Sequence, residues 1–201
     1  MYTLRAAGPP DLDIIFDAVC QASDGVFEYL LAGKVASKLL RPVMLAVLKN
    51  SDSCFSPANI LVAEAEGRIA GFLFAYPASE HSLPAQAAPL LDSKKLLALQ
   101  NVLEATVPDT LHINCLWADS DYLTVPLREE LLDMADKWAR HKGLCGLSTF
   151  IWADAEDEVA FFTRNGFSTF SRIPANGLAV QGKSSLHQDG GVLLKRIFER
   201  S

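Results

Sequence analysis

Two near-continuously apolar runs, "LHINCLWAD" at 111–119 and "LCGLSTFIWAD" at 144–154, constrain the fold of this chain more than any other feature. An apolar run without alternation is the pattern of a strand buried on both faces, so each belongs inside a sheet covered on two sides. Between them, Leu127, Leu131, Ala135 and Trp138 fall on one side of a helix over 125–141, with charges opposite. Gly143 is placed to stop that helix. The centre of the chain is therefore a strand–helix–strand unit.

Antiparallel signals surround it. "YTLRAA" reads as a first strand closed by Gly8-Pro9-Pro10. Asp11 reads as the cap of a helix over "LDIIFDAVCQAS", whose Leu12, Ile15, Phe16 and Val19 share a face. A second helical region spans "VFEYLLAGKVASKLLRPVMLAVLKN", with Pro42 marking a break or a new start. "NILVAEAEGRIAGFLFAYP" is a hairpin turning at Glu66-Gly67, where glycine suits a positive φ. Residues 78–95, rich in Ala, Pro and Ser, read as a loop or insertion, followed by an amphipathic helix over "SKKLLALQNVLEATV". "DEVAFFTRNGF" is a short helix ended by Asn165-Gly166, and "FSTFSRI" and "GGVLLKRIF" are closing strands. No repeat or linker divides the chain. The expectation is an α/β protein (an α+β mixed sheet) with a single domain over 1–201 and a helical insertion at about 78–107. Its core is a mixed, twisted sheet of about seven strands with helices on both faces.

Half of the 201 residues are apolar, enough for a substantial core without staples. A formal charge of −6 argues against general affinity for nucleic acid or an anionic membrane. The cysteines at 20, 54, 115 and 145 form no CxxC pair, and Cys115 and Cys145 lie in apolar runs, so buried free thiols are expected rather than a disulfide or a metal site. The N-terminus lacks the basic and apolar regions of a signal peptide, and no apolar run approaches a membrane span. A soluble cytoplasmic protein is the simplest expectation.

Four landmarks, in order, resemble the GNAT family of N-acetyltransferases: "ILVAEAEGRIAGFLFAYP", "LHINCLWADSDY", "LREELLDMADKWARHKG" and "EVAFFTRNGFSTFSRI". They are similar to that family's second and third strands, its fourth strand, the helix after its pyrophosphate loop, and its closing helix and strand. The tail "HQDGGVLLKRIF" resembles its last strand. The likeness spans nearly the whole chain. It implies a GNAT-like acyltransferase fold and transfer of an acetyl group from acetyl-CoA, as co-substrate, to an amine of a small molecule or peptide. In such a fold the fourth strand splays from the fifth, so the backbone at Leu116, Trp117 and Ala118 would hydrogen-bond the pantetheine arm. Leu123, Thr124, Val125, Leu127 and Arg128 would form the phosphate loop and helix start.

The resemblance breaks in that loop. Leu123 stands at the Arg/Gln that opens the family motif, Pro126 at its first Gly and Arg128 at its last. Pro126 removes one N–H, a loss of about 1.5–3 kcal/mol of hydrogen bonding to a charged group, or roughly ten- to a hundred-fold in affinity. Glu129 and Glu130 would repel a pyrophosphate. Arg128 either grips a phosphate or is solvated at an ordinary helix start capped by Thr124. Phe162 replaces the family's frequent tyrosine proton donor, and Asp157 lies near a position where an asparagine often meets the cofactor arm.

For a general base the candidates are Glu64, Asp119, Asp121 and Glu104, although Asp119 and Asp121 read first as a solvated strand-end loop and Glu64 as an outward-facing strand residue. His112, inside an apolar strand, reads first as a structural histidine; His141 suits a helix end, and His81 and His187 carry no signal. Trp117 and Tyr122 flank the expected cleft. Two functions follow: an acetyltransferase with a rearranged phosphate loop, or an inactive member of the fold kept as a binding module. A homodimer through outer strands or long helices is compatible with either.

Overall fold

The computed structural model describes residues 2–31, 33–49, 53–83, 87–122, 126–174, 187 and 189–199. Seven strands form one sheet: β1 (Thr3–Ala6), β2 (Ile60–Ala65), β3 (Arg68–Pro77), β4 (Thr110–Ala118), β5 (Gly146–Trp152), β6 (Ser168–Ile173) and β7 (Gly191–Ile197). Their spatial order is β1-β2-β3-β4-β5-β7-β6. Only β4 and β5 run parallel. The helix between them is α6 (Leu127–His141), preceded in the chain by α1 (Leu12–Ser23), α2 (Val26–Leu31), α3 (Ser37–Lys49), α4 (Ser93–Ala98) and α5 (Gln100–Leu103), and followed by α7 (Glu156–Arg164).

The two faces of the sheet carry separate cores because successive strand residues point opposite ways. Ala63, Leu73, Leu111, Ile113 and Leu147 face α6 and α7, meeting Leu127, Leu131, Leu132, Ala135 and Phe162. Their neighbours Val62, Phe72, Phe74, Tyr76 and Cys115 face α1, through Ile15 and Ala18. A third cluster joins α2, residues 87–103 and Trp152 of β5. Helices on both faces of a mixed seven-stranded sheet match the pattern read from the two apolar runs.

Local details differ from the sequence reading. The break in the second helical region precedes residue 37, and Pro42 lies inside α3 on an exposed stretch. The carbonyl that proline leaves unpaired, that of the exposed Lys38, is accessible to water there, which lowers the cost. The expected helix over 93–107 is two short ones, α4 and α5, divided at the buried Leu99. Asp11 does not cap α1; its carboxylate takes the Gly8 N–H at 2.7 Å and two guanidinium bonds from Arg5. Cys145 is exposed rather than buried. Glu66 shares the positive φ of Gly67, which makes the β2–β3 turn one of the tight hairpin types. Among the described residues, no helix is long and apolar enough to cross a membrane.

Candidate functional site

The parallel pairing of β4 with β5 stops early. It runs from Thr110 opposite Gly146 to Ile113 opposite Thr149, while β4 continues to Ala118 and β5 to Trp152. Against β3 the pairing continues, but with a shift between Phe74 and Ala75 that leaves Asn114 as an extra residue. A bulge bends its strand, and this one stands immediately after the last β4–β5 pair. The strands therefore part where the bulge bends β4.

Alternate residues of a strand turn their N–H and C=O to opposite neighbours. Asp119 donates its N–H to the Ala70 carbonyl at 2.9 Å, on the β3 side. The Trp117 carbonyl lies on that side too, against Gly71. The backbone groups of Leu116 and Ala118 are thus turned to the opened gap, whereas those of Trp117, expected there with them, are turned to β3. Gly71 makes this possible: a Cβ there would sit 2.7 Å from the Trp117 oxygen and 3.0 Å from Leu127 Cδ2. Only glycine lets β4 and the first turn of α6 lie this close to β3.

The gap opens into a cavity of about 630 Å³ walled by α1, α2, the 81–105 segment, β4, β5 and the start of α7. Leu116 and Trp117 line it, as do Glu158, Phe162 and three histidines, at 81, 112 and 187. Its described lining contains the carboxylates of Asp24, Asp154 and Glu158 and no lysine or arginine.

At the helix start beside the gap, α6 begins at Leu127 with Pro126 at its N-cap. Leu123, Thr124 and Val125, expected in a phosphate loop, lie outside the described residues. The Leu127 side chain is fully buried in the core. Arg128 is neither solvated nor free. Its guanidinium donates to both carboxylate oxygens of Glu158, at 3.0 and 2.5 Å, and lies 3.9 Å from the Phe161 ring centre. Glu129 and Glu130 at this helix start, and Glu156, Asp157 and Glu158 at the start of α7, make the neighbourhood acidic. Asp157 is exposed and outside the cavity wall; its neighbour Glu158 faces the cavity instead.

Phe162 is 2% exposed and packs edge-on to Phe161 and Phe167, so no phenol is supplied at this position. Cys115 lines the cavity, but burial pushes its thiol up to about 12, which keeps it protonated and unreactive. The carboxylates considered as bases are elsewhere. Glu64 is bound to Arg5 at 2.6 Å, Asp119 accepts the Asp121 N–H at 3.0 Å, and Asp121 meets Arg68 at 3.2 Å. Glu104 accepts from Gln100 at 3.0 Å. None of the four lines the cavity. Tyr122 packs against the α6-side core.

The histidines are where sequence reasoning saw least. Thr110 donates its hydroxyl to the Val107 carbonyl at 2.7 Å, so the Ser148 hydroxyl must donate to Thr110, also at 2.7 Å. Ser148 is then free to accept from His112 Nδ1, at 3.3 Å. His112 thus carries its proton on Nδ1 and a lone pair on Nε2. Burial, reinforced by the neighbouring His81, pushes its pKa down to about 3. It is neutral at physiological pH and too weak a base to deprotonate an amine. His81 is fixed in the opposite sense: Nε2 donates to the Leu103 carbonyl at 2.6 Å and Nδ1 accepts from the Tyr76 hydroxyl at 2.9 Å. Burial lowers its pKa as well.

His187 is different. Its Nδ1 lies 2.9 Å from both carboxylate oxygens of Asp154, and its ring stacks on Trp152 at 3.9 Å with the planes 2° apart. Its Nε2 is buried without a hydrogen-bond partner; Asp24 Oδ2 is 3.7 Å away. A local turn holds the residue at φ 52°, with Gly190 N–H donating to the His187 carbonyl and Ala153 N–H to that of Gly190. Asp154 and His187 are 33 positions apart, which is why no local motif announces the pair.

Neither a protein-family model nor a curated protein sequence matches the chain. Solved structures do. An N-acetyltransferase from Staphylococcus aureus Mu50 superposes with a TM-score of 0.70 at 17% identity, over 96% of this chain and 99% of that one. A second acetyltransferase gives 0.66 at 16% identity, over 98% and 100%. The PaiA N-acetyltransferase of Thermoplasma acidophilum, solved with coenzyme A, gives 0.52 at 11% identity, over 98% and 99%. The chain has the GNAT acyltransferase fold, as its four sequence landmarks indicated. At these identities the likeness carries the fold, and the activity has to be argued from the site.

Proposed function

We propose that this protein transfers an acetyl group from acetyl-CoA to the amine of a small molecule or peptide. The observation that carries this reading is the parting of β4 and β5 beyond Ile113 and Thr149. It leaves the backbone groups of Leu116 and Ala118 turned to a gap that opens on a 630 Å³ cavity. Unpaired strand groups beside an apolar cavity fit an extended amide-bearing arm such as pantetheine, because the arm completes the pairing that β5 abandons. The reaction needs the amine nitrogen and the thioester carbon brought together, and a cleft with one wall for each substrate supplies that proximity.

The phosphate end fits less well. Pro126 contributes no N–H, Arg128 is already bound to Glu158, and five carboxylates stand at the two helix starts. These features favour a second reading, a binding module that keeps the cavity and has lost the cofactor. The melting temperature of the purified protein separates the two, measured with and without millimolar acetyl-CoA, desulfo-CoA, CoA and ATP. Stabilisation by the CoA compounds but not by ATP supports the transferase. No shift with any of them leaves the binding module.

A further inference from the structure

The cavity has a consistent polarity. His112 spends its proton on Ser148 and keeps an acceptor at Nε2, and His187 gives its Nδ1 proton to Asp154, which in the neutral ring leaves Nε2 an acceptor as well. The remaining charged groups on the described wall are carboxylates, Asp24 and Asp154, with Glu158 already paired with Arg128. A ligand that satisfies such a wall must bring donors and positive charge; a carboxylate or phosphate at this end would be repelled. The rest of the lining is largely apolar: Phe27 and Leu30 from α2, Leu91 from the inserted segment, and Phe150 and Trp152 from β5. A body buried there is hydrocarbon or aromatic, since a polar one would lose its hydrogen bonds to water without replacing them.

Among the described residues of this wall, the polar atom that the fold leaves buried and without a hydrogen bond is His187 Nε2. A buried polar atom left without a partner is costly to a protein unless something pairs with it. Its ring is oriented by Asp154 and held flat against Trp152, so it cannot turn to find another partner. We propose that the cavity binds a lipophilic primary amine as its ammonium ion, with the nitrogen at the Asp154–His187 pair, and that His187 Nε2 takes the proton that must leave before the nitrogen can attack.

For the chemical step the inference rests on the acetyltransferase reading; for binding it does not. In that step the ammonium gives one proton to Nε2, and the imidazolium so formed lies between the carboxylates of Asp154 and Asp24. The free amine adds to the thioester carbonyl of acetyl-CoA, the new C–N bond forms, and the C–S bond breaks. The second nitrogen proton ends on the departing sulfur, giving the amide and the thiol of CoA. His112, neutral down to low pH, contributes an acceptor rather than a base.

The test uses the full chain with phenethylamine as the probe, and phenylacetate and N-acetylphenethylamine as matched controls. Melting temperatures are read first without any CoA compound. The expected result is a rise of roughly 3–5 °C for phenethylamine near ten times its Kd, with neither control acting. His187→Gln and Asp154→Asn should each weaken amine binding at least tenfold. Asp154 is half exposed, so its variant retains the core should His187→Gln fail to fold. Equal stabilisation by phenylacetate, no stabilisation by the amine, or unchanged binding in Asp154→Asn overturns the proposal. Product analysis with acetyl-CoA then separates the two ideas. Amine binding without acetylation removes the transferase and leaves the amine site. Acetylation of hydrophilic or peptide amines in preference to phenethylamine keeps the transferase and removes the lipophilic acceptor.

Discussion

Arg128 and Glu158 are joined by two hydrogen bonds, at 3.0 and 2.5 Å, that tie the first turn of α6 to the first turn of α7. The pair stands beside the gap between β4 and β5, and Glu158 is one of the cavity's lining residues. The single cation at this helix start is therefore already neutralised by the protein itself.

Replacing Glu158 by Gln releases that cation. CoA affinity should rise roughly three- to ten-fold by calorimetry, because one negative charge leaves and a guanidinium fork becomes available to a phosphate. Arg128→Ala should act in the other direction and also cost about 1 kcal/mol of stability, chiefly from the lost contact with Phe161 and a part-exposed ion pair. Unchanged CoA affinity in Glu158→Gln would mean that this pair is purely structural.

Pro126 offers a second handle on the same end. Pro126→Gly restores a backbone N–H at the N-cap of α6 and removes the ring. Glycine is tolerated at that position at a cost of a few tenths of a kcal/mol relative to the polar caps. A gain of about ten-fold in CoA affinity is expected, the lower edge of what one charge-assisted bond is worth. A loss of affinity would show that the proline ring shapes the site.

Gly71→Ala should unfold the splay from the inside. Its new methyl meets the Trp117 carbonyl, which is backbone and cannot swing aside, and the Leu127 side chain that anchors α6. A loss of about 2–4 kcal/mol in urea denaturation is expected, together with loss of any CoA-dependent stabilisation. A variant as stable as the wild type would contradict the close packing of β3, β4 and α6.

Acid should destabilise the fold well above the carboxylate range. The folded pKa of His112 is lowered to about 3 from an ordinary 6.5, so below 6.5 the unfolded chain takes up a proton that the folded one refuses. This stability is fully present above about pH 6.5 and is lost as the pH falls towards 3, the loss at pH 5 being roughly 2 kcal/mol. His81, also lowered by burial, adds in the same direction. Asp11 is lowered by its bonds to Arg5, and its contribution goes only below an ordinary carboxylate value of 3.8. Chemical denaturation at pH 7.5 and 5 should show the difference, and His112→Gln should reduce it. An identical slope in that variant would place the effect elsewhere.

The sheet, its two covered faces and the strand–helix–strand centre were legible in the residues alone. Those follow from local periodicity, and periodicity is written residue by residue: unbroken apolarity at 111–119 and 144–154, a helical stripe between them, and the Glu66-Gly67 turn. The family wording implied backbone contacts from Leu116, Trp117 and Ala118 alike, and of these Trp117 is turned to β3 instead. The fold itself settled the pairs that are distant in sequence. It gave Arg128 to Glu158 rather than to solvent, turned Glu158 rather than Asp157 to the cavity, and brought His187 to Asp154 across 33 positions. The physical reason is the same in each case. A side chain's charge partner and its burial depend on which elements the sheet brings together, and nothing in the neighbouring residues records that choice.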